Sequence, residues 1–500
     1  MAPLLFDDKG QINLDTHSSD SEDTFQQDFE RYTDERRQHW DRVAASLSDW
    51  KGAGRYYHRR LARIYQHLIP PGSRVLEIGC GPGDLLASVD PDPGVGIDFS
   101  PRMVQKAQEK YPQLRILEGD AHQLPVEEKF DFIILSDLLN DLWDVQQVLK
   151  EVRRLCLPST RVIINLYSRL WEIPLAIAQR IKLAKPNLPQ NWLTTEDLQQ
   201  LLYLTDFEAI KSWPEIIFPL WIPALTPLLN RFAARFWPFK HLSLTNVTIA
   251  RPVGQVPANQ DLPSVSVIVP ARNEEGNIEE IFQRVPEMGG GTQIIFVEGH
   301  SRDDTFQEIK TQQQRFPEKQ TELYRQSGKG KGDAVRLGFE KASGDVLMIL
   351  DADLTVPPED LPRFYQALVS GKGEFINGVR LVYPMEDQAM RFLNLLGNKF
   401  FSQTFTWLLN QPIKDTLCGT KVLFSTAYQR IAKNRSYFGD FDPFGDFDLL
   451  FGATRLNLKI IDLPVRYRSR KYGDTNINRF QHGALLLRMV FFSARRLKFI

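Results

Sequence analysis

The sequence predicts an α/β protein built from two doubly wound domains, and three observations carry that expectation. Apolar strand-like runs alternate with helix-period segments twice along the chain, between residues 74 and 166 and again between 265 and 350. Each series contains one strand that runs into a turn of distinctive chemistry, Val75-Leu-Glu-Ile-Gly-Cys-Gly-Pro-Gly-Asp84 in the first and Leu350-Asp-Ala-Asp353 in the second. The chain has 500 residues, more than one hydrophobic core usually covers.

The elements follow in order. Residues 1–35 are acidic, low in hydrophobicity and without periodicity, which predicts a poorly ordered tail. Residues 36–250 read as the first domain. Trp40, Val43, Leu47 and then Tyr57, Leu61, Ile64, Leu68 recur at helical spacing and form its entrance, which Pro70-Pro71-Gly72 ends. Strands are then expected at 74–78, 94–97, 114–118, 130–135 and 161–166, with helices at 101–110 and 143–155 and a closing strand within 242–250. Residues 251–263 are rich in turn formers and read as a linker. The second domain, 264–478, restarts the alternation with strands at 265–269, 293–297, 322–324 and 345–350, and 479–500 reads as a basic amphipathic helix.

Composition narrows the surroundings. The net charge is −1, yet residues 466–500 carry nine bases against Asp474 alone. The three cysteines, Cys80, Cys156 and Cys418, suggest neither a disulfide framework nor a zinc site. No basic-then-apolar leader opens the chain, so a cytoplasmic location is expected, and a nucleic-acid partner is not. No run reaches the length of a spanning helix. The nearest, Ile216 to Leu229, is interrupted by Pro219, Pro223 and Pro227, which forbids one regular helix and leaves a buried lid or a lipid contact open. The C-terminal Leu485–Phe492 run followed by Arg495, Arg496 and Lys498 is equally open between an interfacial helix, giving peripheral membrane contact, and a packed one.

In the first motif, Gly79, Gly81 and Gly83 permit a tight strand-to-helix turn and close approach of a ligand to bare backbone. Glu77 precedes the turn, Asp98 ends the next strand where a carboxylate can accept ribose hydroxyls, and Asp120 ends the third near an exocyclic amine. Helix capping by Asp98 and a simple turn at Asp120 are the alternatives. His122, Asp137, Asn140, Asp141 and Tyr167 also follow strand ends, and none stands out as catalytic. With Phe130-Asp-Phe-Ile-Ile-Leu-Ser136 as a fourth strand, residues 40–250 resemble the class I S-adenosylmethionine-dependent methyltransferases, which are Rossmann-like. The resemblance implies S-adenosyl-L-methionine as cofactor, with Glu77, Gly79, Gly81, Asp98 and Asp120 lining its pocket.

In the second motif, Asp351 and Asp353 stand two residues apart after an apolar strand, a spacing that suits a divalent metal bridging diphosphate oxygens. Pro270 ends the first strand of this domain before a polar loop able to cradle a nucleoside. Together with Lys329-Gly-Lys-Gly-Asp-Ala-Val-Arg336, Asp415-Thr-Leu-Cys-Gly-Thr-Lys421, Gly445-Asp-Phe-Asp-Leu-Leu450 and Arg470-Lys-Tyr-Gly-Asp-Thr-Asn476, the set resembles family 2, GT-A-fold glycosyltransferases. The likeness is to polyprenyl-phosphate sugar transferases, including dolichyl-phosphate mannosyl- and glucosyltransferases.

That resemblance implies a nucleotide-sugar donor and a polyprenyl phosphate or glycan acceptor. Asp351 and Asp353 would hold Mg²⁺ or Mn²⁺, Glu298 the nucleotide base, and Arg336 and Arg380 would offset phosphate charge. Asp446 or Asp448 would orient or deprotonate the acceptor, and Arg470, Gly473 and Thr475 would contact phosphate. The sequence departs from the pattern at Glu298-Gly299, where two acids are usual, at Asn476, where lysine is common, and at Thr355, where a glutamine can join the metal shell. The expectation is a bifunctional transferase. Its alternative is transfer to a saccharide or small-molecule hydroxyl, with the first domain a silent binding or docking module.

Overall fold

The structure is a computed structural model that describes residues 18–46, 54–181, 184, 187–254, 262–380, 392–434, 446–468, 470, 472 and 479–499. The chain divides into two compact units, Met1–Glu208 with Pro214–Pro252, and Ala209–Trp213 with Val253–Ile500.

The first unit holds strands Val75–Ile78 (β1), Gly94–Asp98 (β2), Arg115–Glu118 (β3), Phe130–Ser136 (β4), Cys156–Tyr167 (β5), Phe207–Pro214 (β6) and Thr245–Pro252 (β7), in sheet order β3-β2-β1-β4-β5-β7-β6. The first five run parallel, and β7 pairs antiparallel with β5. β1 and β2 are buried along their whole length, as strands covered on both faces must be. Helix Pro101–Lys110 starts where Ser100 accepts a hydrogen bond from the Met103 N–H with Pro101 at the first position, and its last turn carries Lys110.

The second unit holds Val265–Ala271 (β8), Thr292–Glu298 (β9), Gln320–Arg325 (β10), Val346–Ile349 (β11), Phe375–Val379 (β12), Lys421–Phe424 (β13) and Ile460–Pro464 (β14), in order β10-β9-β8-β11-β13-β12-β14. β8 to β11 run parallel to one another, and β13 runs antiparallel between β11 and β12. Val267, Val269, Phe282, Phe296, Met348 and Phe364 are fully buried in the core on one face of this sheet. Both units are therefore α/β with helices against a mixed seven-stranded sheet, the fold class expected.

Several details differ from the expectation. A helix runs from Ser18 to Ser46; it begins inside the 1–35 stretch read as a poorly ordered tail and continues through Trp40 and Val43, where helical spacing is expected, because Tyr32, Arg36 and Trp40 dock on the chain at Asp141: Trp40 Nε1 donates to Asp141 Oδ2 at 2.8 Å. β7 continues through Arg251 and Pro252, two residues into the expected linker, since the Arg251 guanidinium is buried against Glu208. Residues 255–261 of that linker lie outside the described residues. At the C-terminus, helix Arg479–Ser493 and the turn Ala494–Lys498 pack Leu486, Met489 and Ala494 into the second core, and Lys498 is buried, donating to the Trp407 carbonyl at 2.6 Å. Lys498 is thus a packing residue, while Arg488 and Arg495 remain exposed. No helix among the described residues is long and apolar enough to cross a membrane.

Candidate functional site

Each unit gathers its chemistry along the C-terminal edge of its parallel strands. In the first, register aligns Ile78 with Ile97 and with Leu135, so the residues that follow β1, β2 and β4 share one edge. Gly79, Gly81 and Gly83 all take left-handed backbone, with φ of +72°, +51° and +77°. A Cβ added at Gly81 would meet nothing within 4 Å, which leaves open space above the turn.

Asp98 is buried and accepts from the Gly81 N–H at 2.8 Å and the Ser100 N–H at 2.9 Å. Burial pushes its carboxyl up to about 6 against those amide contacts. Ser100, not Asp98, caps the following helix. Glu77 is buried, and its Oε2 finds no hydrogen-bond partner; burial, with Asp98 nearby, holds it well above the ordinary carboxylate range. Asp120 behaves as the turn alternative described: it accepts from the His122 N–H at 2.8 Å and faces His122 Nδ1 at 2.7 Å. Burial raises it, but His122 outweighs that and the carboxyl sits below its usual value. An open glycine cradle, an orphaned buried carboxylate oxygen and Asp98 fit a nucleoside-bearing cation such as S-adenosylmethionine.

A cluster that the sequence left without a role adjoins this edge. Asp137, just past β4, takes φ +53°, a strained conformation for a residue with a side chain. Tyr57 Oη donates to both its carboxylate oxygens at 2.9 and 3.0 Å, and the amide of Asn165 and the hydroxyl of Tyr167 also donate to it. Thr245 Oγ1 and Tyr65 extend the network through Tyr57 and Asn165. Burial pushes Asp137 up to about 7 despite these donors. Leu138 lies against Gly79, so the cluster stands beside the glycine turn. The available signal was an aspartate immediately after a strand of the ligand edge.

In the second unit, Ala271 pairs with Glu298 and Ile268 with Ile349, which aligns the ends of β8, β9 and β11. Just beyond these ends, Asn273, His300 and Leu354 all have positive φ, at +56°, +59° and +54°. Asp351 and Asp353 emerge here, and each meets a cation. Lys331 Nζ lies 2.6 Å from Asp351, and Arg470 Nη2 lies 2.6 Å from Asp353 and reaches Glu274 at 3.6 Å. Although burial raises it, Lys331 outweighs burial and lowers the Asp351 carboxyl below its ordinary value. Burial pushes Glu274 up to about 7 against the pull of Arg470 and Asn277. Thr355 donates through its N–H at 3.1 Å and its hydroxyl at 2.7 Å to Asp353.

Gly419 lies so close that an added Cβ would stand 2.0 Å from Asp351 Oδ2. This brings the 415–421 segment onto the acid pair. The donor set is oxygen only, and no group of three or more His, Cys, Asp or Glu able to hold an ion occurs among the described residues. Two carboxylates with no softer donor beside them suit a hard divalent cation such as Mg²⁺ or Mn²⁺, which Asp351 and Asp353 would hold.

The other expected residues are distributed around this centre. Glu298 is buried, accepting from Arg325 Nε at 2.9 Å and from the Ser301 N–H; these contacts outweigh burial and lower its carboxyl. Pro270 lies within β8, and Arg336 on helix Lys331–Lys341, half-buried. Arg380, expected to face phosphate, makes a two-pronged buried pair with Asp415 at 2.7 and 2.9 Å. That partner raises Arg380 further despite its burial. Asp448 is buried on helix Asp446–Arg455, whereas the Asp446 side chain, Gly473, Thr475 and Asn476 lie outside the described residues. Lys331, Glu274 and Gly419 were not singled out in the sequence, although Lys331 and Gly419 sit inside two of its quoted segments.

Comparisons with known proteins agree with this division. The family model "Glycosyl transferase family 2" matches residues 266–432, and "Methyltransferase domain" matches 75–159. The chain carries both a glycosyltransferase and a methyltransferase domain. Dolichol-phosphate mannosyltransferase of Pyrococcus furiosus is 38% identical over 109 residues, 21% of this chain and 30% of that protein. Undecaprenyl-phosphate 4-deoxy-4-formamido-L-arabinose transferase of Edwardsiella ictaluri is 31% identical over 217 residues, 42% of this chain and 62% of that protein. The chain thus spans under two thirds of the length of these curated relatives. Among solved structures, glucosyl-3-phosphoglycerate synthase of Mycobacterium tuberculosis aligns at 18% identity with a TM-score of 0.35, covering 47% of this chain and 80% of that one.

Proposed function

We propose that the protein is a bifunctional transferase. Its second unit moves a sugar from a nucleotide sugar to a polyprenyl phosphate, and its first transfers a methyl group from S-adenosylmethionine. One observation carries the sugar-transfer reading: Asp351 and Asp353 sit at a strand-end loop, each with its own cation from a distant segment. A diphosphate brings negative charge that grows as the sugar leaves, and Lys331 and Arg470 stand close enough to stabilise it. A divalent metal held by Asp351 and Asp353 would supply further positive charge at the leaving diphosphate. Arg470 would exchange its contact with Asp353 for a phosphate, and Glu298 would hold the nucleoside side. A phosphate acceptor is already ionised near neutral pH, so no strong base is required. The two curated relatives, named for dolichol-phosphate and undecaprenyl-phosphate substrates, support this acceptor class.

For the first unit, Glu77 and Asp98 are buried and Asp137 partly buried, and desolvation raises all three carboxyls. Such an edge suits a ligand that brings its own positive charge, and the sulfonium does. The test is radiolabelled nucleotide sugar with a short polyprenyl phosphate. Organic-extractable label that falls in Arg470→Ala supports the reading, and label confined to water-soluble product rejects the lipid acceptor.

A further inference from the structure

Two segments of the first unit leave a large apolar area exposed. Among the described residues, twenty-one large hydrophobics are exposed; four lie within 170–181 and nine within 221–242. Trp237 is 77% exposed, and helix Glu172–Arg180 buries no residue at all. Monomeric soluble proteins rarely leave contiguous apolar surface of this kind uncovered. The segments adjoin: Trp171 Nε1 donates to the Leu242 carbonyl at 2.9 Å, and the Ser168 N–H to the Leu244 carbonyl at 2.7 Å.

Charge selects the partner. Residues 216–242 contain no Asp or Glu; Arg231 is exposed and Lys240 half-buried, while Arg235 is buried against Glu215, and 169–181 adds exposed Arg169 and Arg180 against Glu172 alone. Exposed tryptophan, phenylalanine and leucine edged by bases match an interface of acyl chains beneath anionic headgroups. A protein partner's apolar face would not by itself call for this one-signed rim. Proline at 219, 223 and 227 keeps the segment as short turns rather than one helix, so it lies on an interface and does not span it.

Topology puts this surface at the ligand edge. β5 runs parallel to β4 and ends at Tyr167, whereas β7 begins at Thr245, so both segments join the sheet at the edge holding the glycine turn. Tyr167 and Thr245 belong to the Asp137 cluster, and Tyr56, beside Tyr57, packs on Trp221 with ring centroids 5.4 Å apart. We infer that residues 170–181 and 221–242 dock the methyltransferase domain onto an anionic lipid surface, so that an amphiphilic methyl acceptor reaches the Asp137 edge from the membrane. The acceptor clause rests on the methyl-donor reading above; the docking does not.

The full chain is tested in an Arg488→Gln, Arg495→Gln background, which removes exposed C-terminal cations from every arm. Partition onto phosphatidylglycerol-containing vesicles is compared with pure phosphatidylcholine, with and without Ile177→Glu, Leu228→Glu and Trp237→Glu. The expected result is salt-sensitive binding to anionic vesicles that these three exposed substitutions weaken at least tenfold, with unchanged circular dichroism. Bromolipid quenching of tryptophan fluorescence should fall in Trp237→Phe, a change that leaves folding intact. Equal partition of parent and triple variant overturns the inference. So does a parent that ignores vesicles but self-associates through these residues in sedimentation velocity. Calorimetry with S-adenosylmethionine is run on the same samples: its failure removes the methyl-donor reading and leaves the vesicle result standing.

Discussion

The two ligand edges have the same topology and opposite electrostatics. Along the first, Glu77, Asp98 and Asp137 are all pushed up by burial and held mainly by amides and hydroxyls. Along the second, Glu298 and Asp415 are buried and Asp351 partly so, yet Lys331, Arg325 and Arg380 bring them below their ordinary values. Burial alone therefore does not decide a carboxylate's charge. A cation in close contact does: Glu274, which Arg470 reaches only at 3.6 Å, still rises to about 7, whereas Asp351 with Lys331 at 2.6 Å is lowered.

The largest test of this contrast is Asp353→Ala. It should cut sugar transfer by about 10²–10³-fold while leaving calorimetric binding of S-adenosylmethionine unchanged. Transfer that persists in this variant and in EDTA would remove the metal role. Asp98→Ala comes next. Losing a hydrogen bond to a charged group, worth about 1.5–3 kcal/mol, should weaken methyl-donor binding roughly ten- to hundredfold with sugar transfer intact. A smaller effect separates the edges by pH. Asp98 and Asp137 are raised to about 6 and about 7 in the fold. The stability they contribute is full below about pH 4, their unfolded range, and is lost as pH rises through 6 and 7. Asp351, Glu298 and Asp415 are lowered, so their contribution is present above the ordinary carboxylate range and lost on acidification. Hydrogen exchange should show the second unit losing protection as pH falls below about 4, and the first losing it as pH rises through 6 and 7. Asp137→Asn should flatten the first trend. Parallel profiles would break the contrast.

Local signals made much of this legible from sequence. Helix Pro101–Lys110 was bounded correctly because Ser100, Pro101 and Lys110 are themselves the boundary chemistry. The glycine turn and the acid pair were readable because strand, turn and acid are contiguous. What pairs across distance was not. Arg470 meets Asp353 from 117 residues away, and Arg380, expected to face phosphate, is consumed by Asp415. β6, β12, β13 and β14 went unassigned, since β13 takes its place between β11 and β12 by antiparallel pairing that no local period encodes. The hydrophilic first half of the helix from Ser18 reads as a tail because its order rests on tertiary contacts such as that of Tyr32 rather than on an apolar stripe, whereas the half holding Trp40 and Val43 carries helical spacing.

The open space above Gly81 has a consequence for mutational tolerance. At Gly94 an added methyl would strike Pro91 at 2.4 Å, and at Gly96 it would strike Ile116 at 2.7 Å, so substitution there harms folding itself. At Gly81 it strikes nothing, and alanine costs only the left-handed backbone penalty of about 1 kcal/mol. A library scored for abundance should accept Gly81→Ala while the same library scored for methyl-donor binding rejects it. That divergence would mark the position as selected by its ligand rather than by its neighbours.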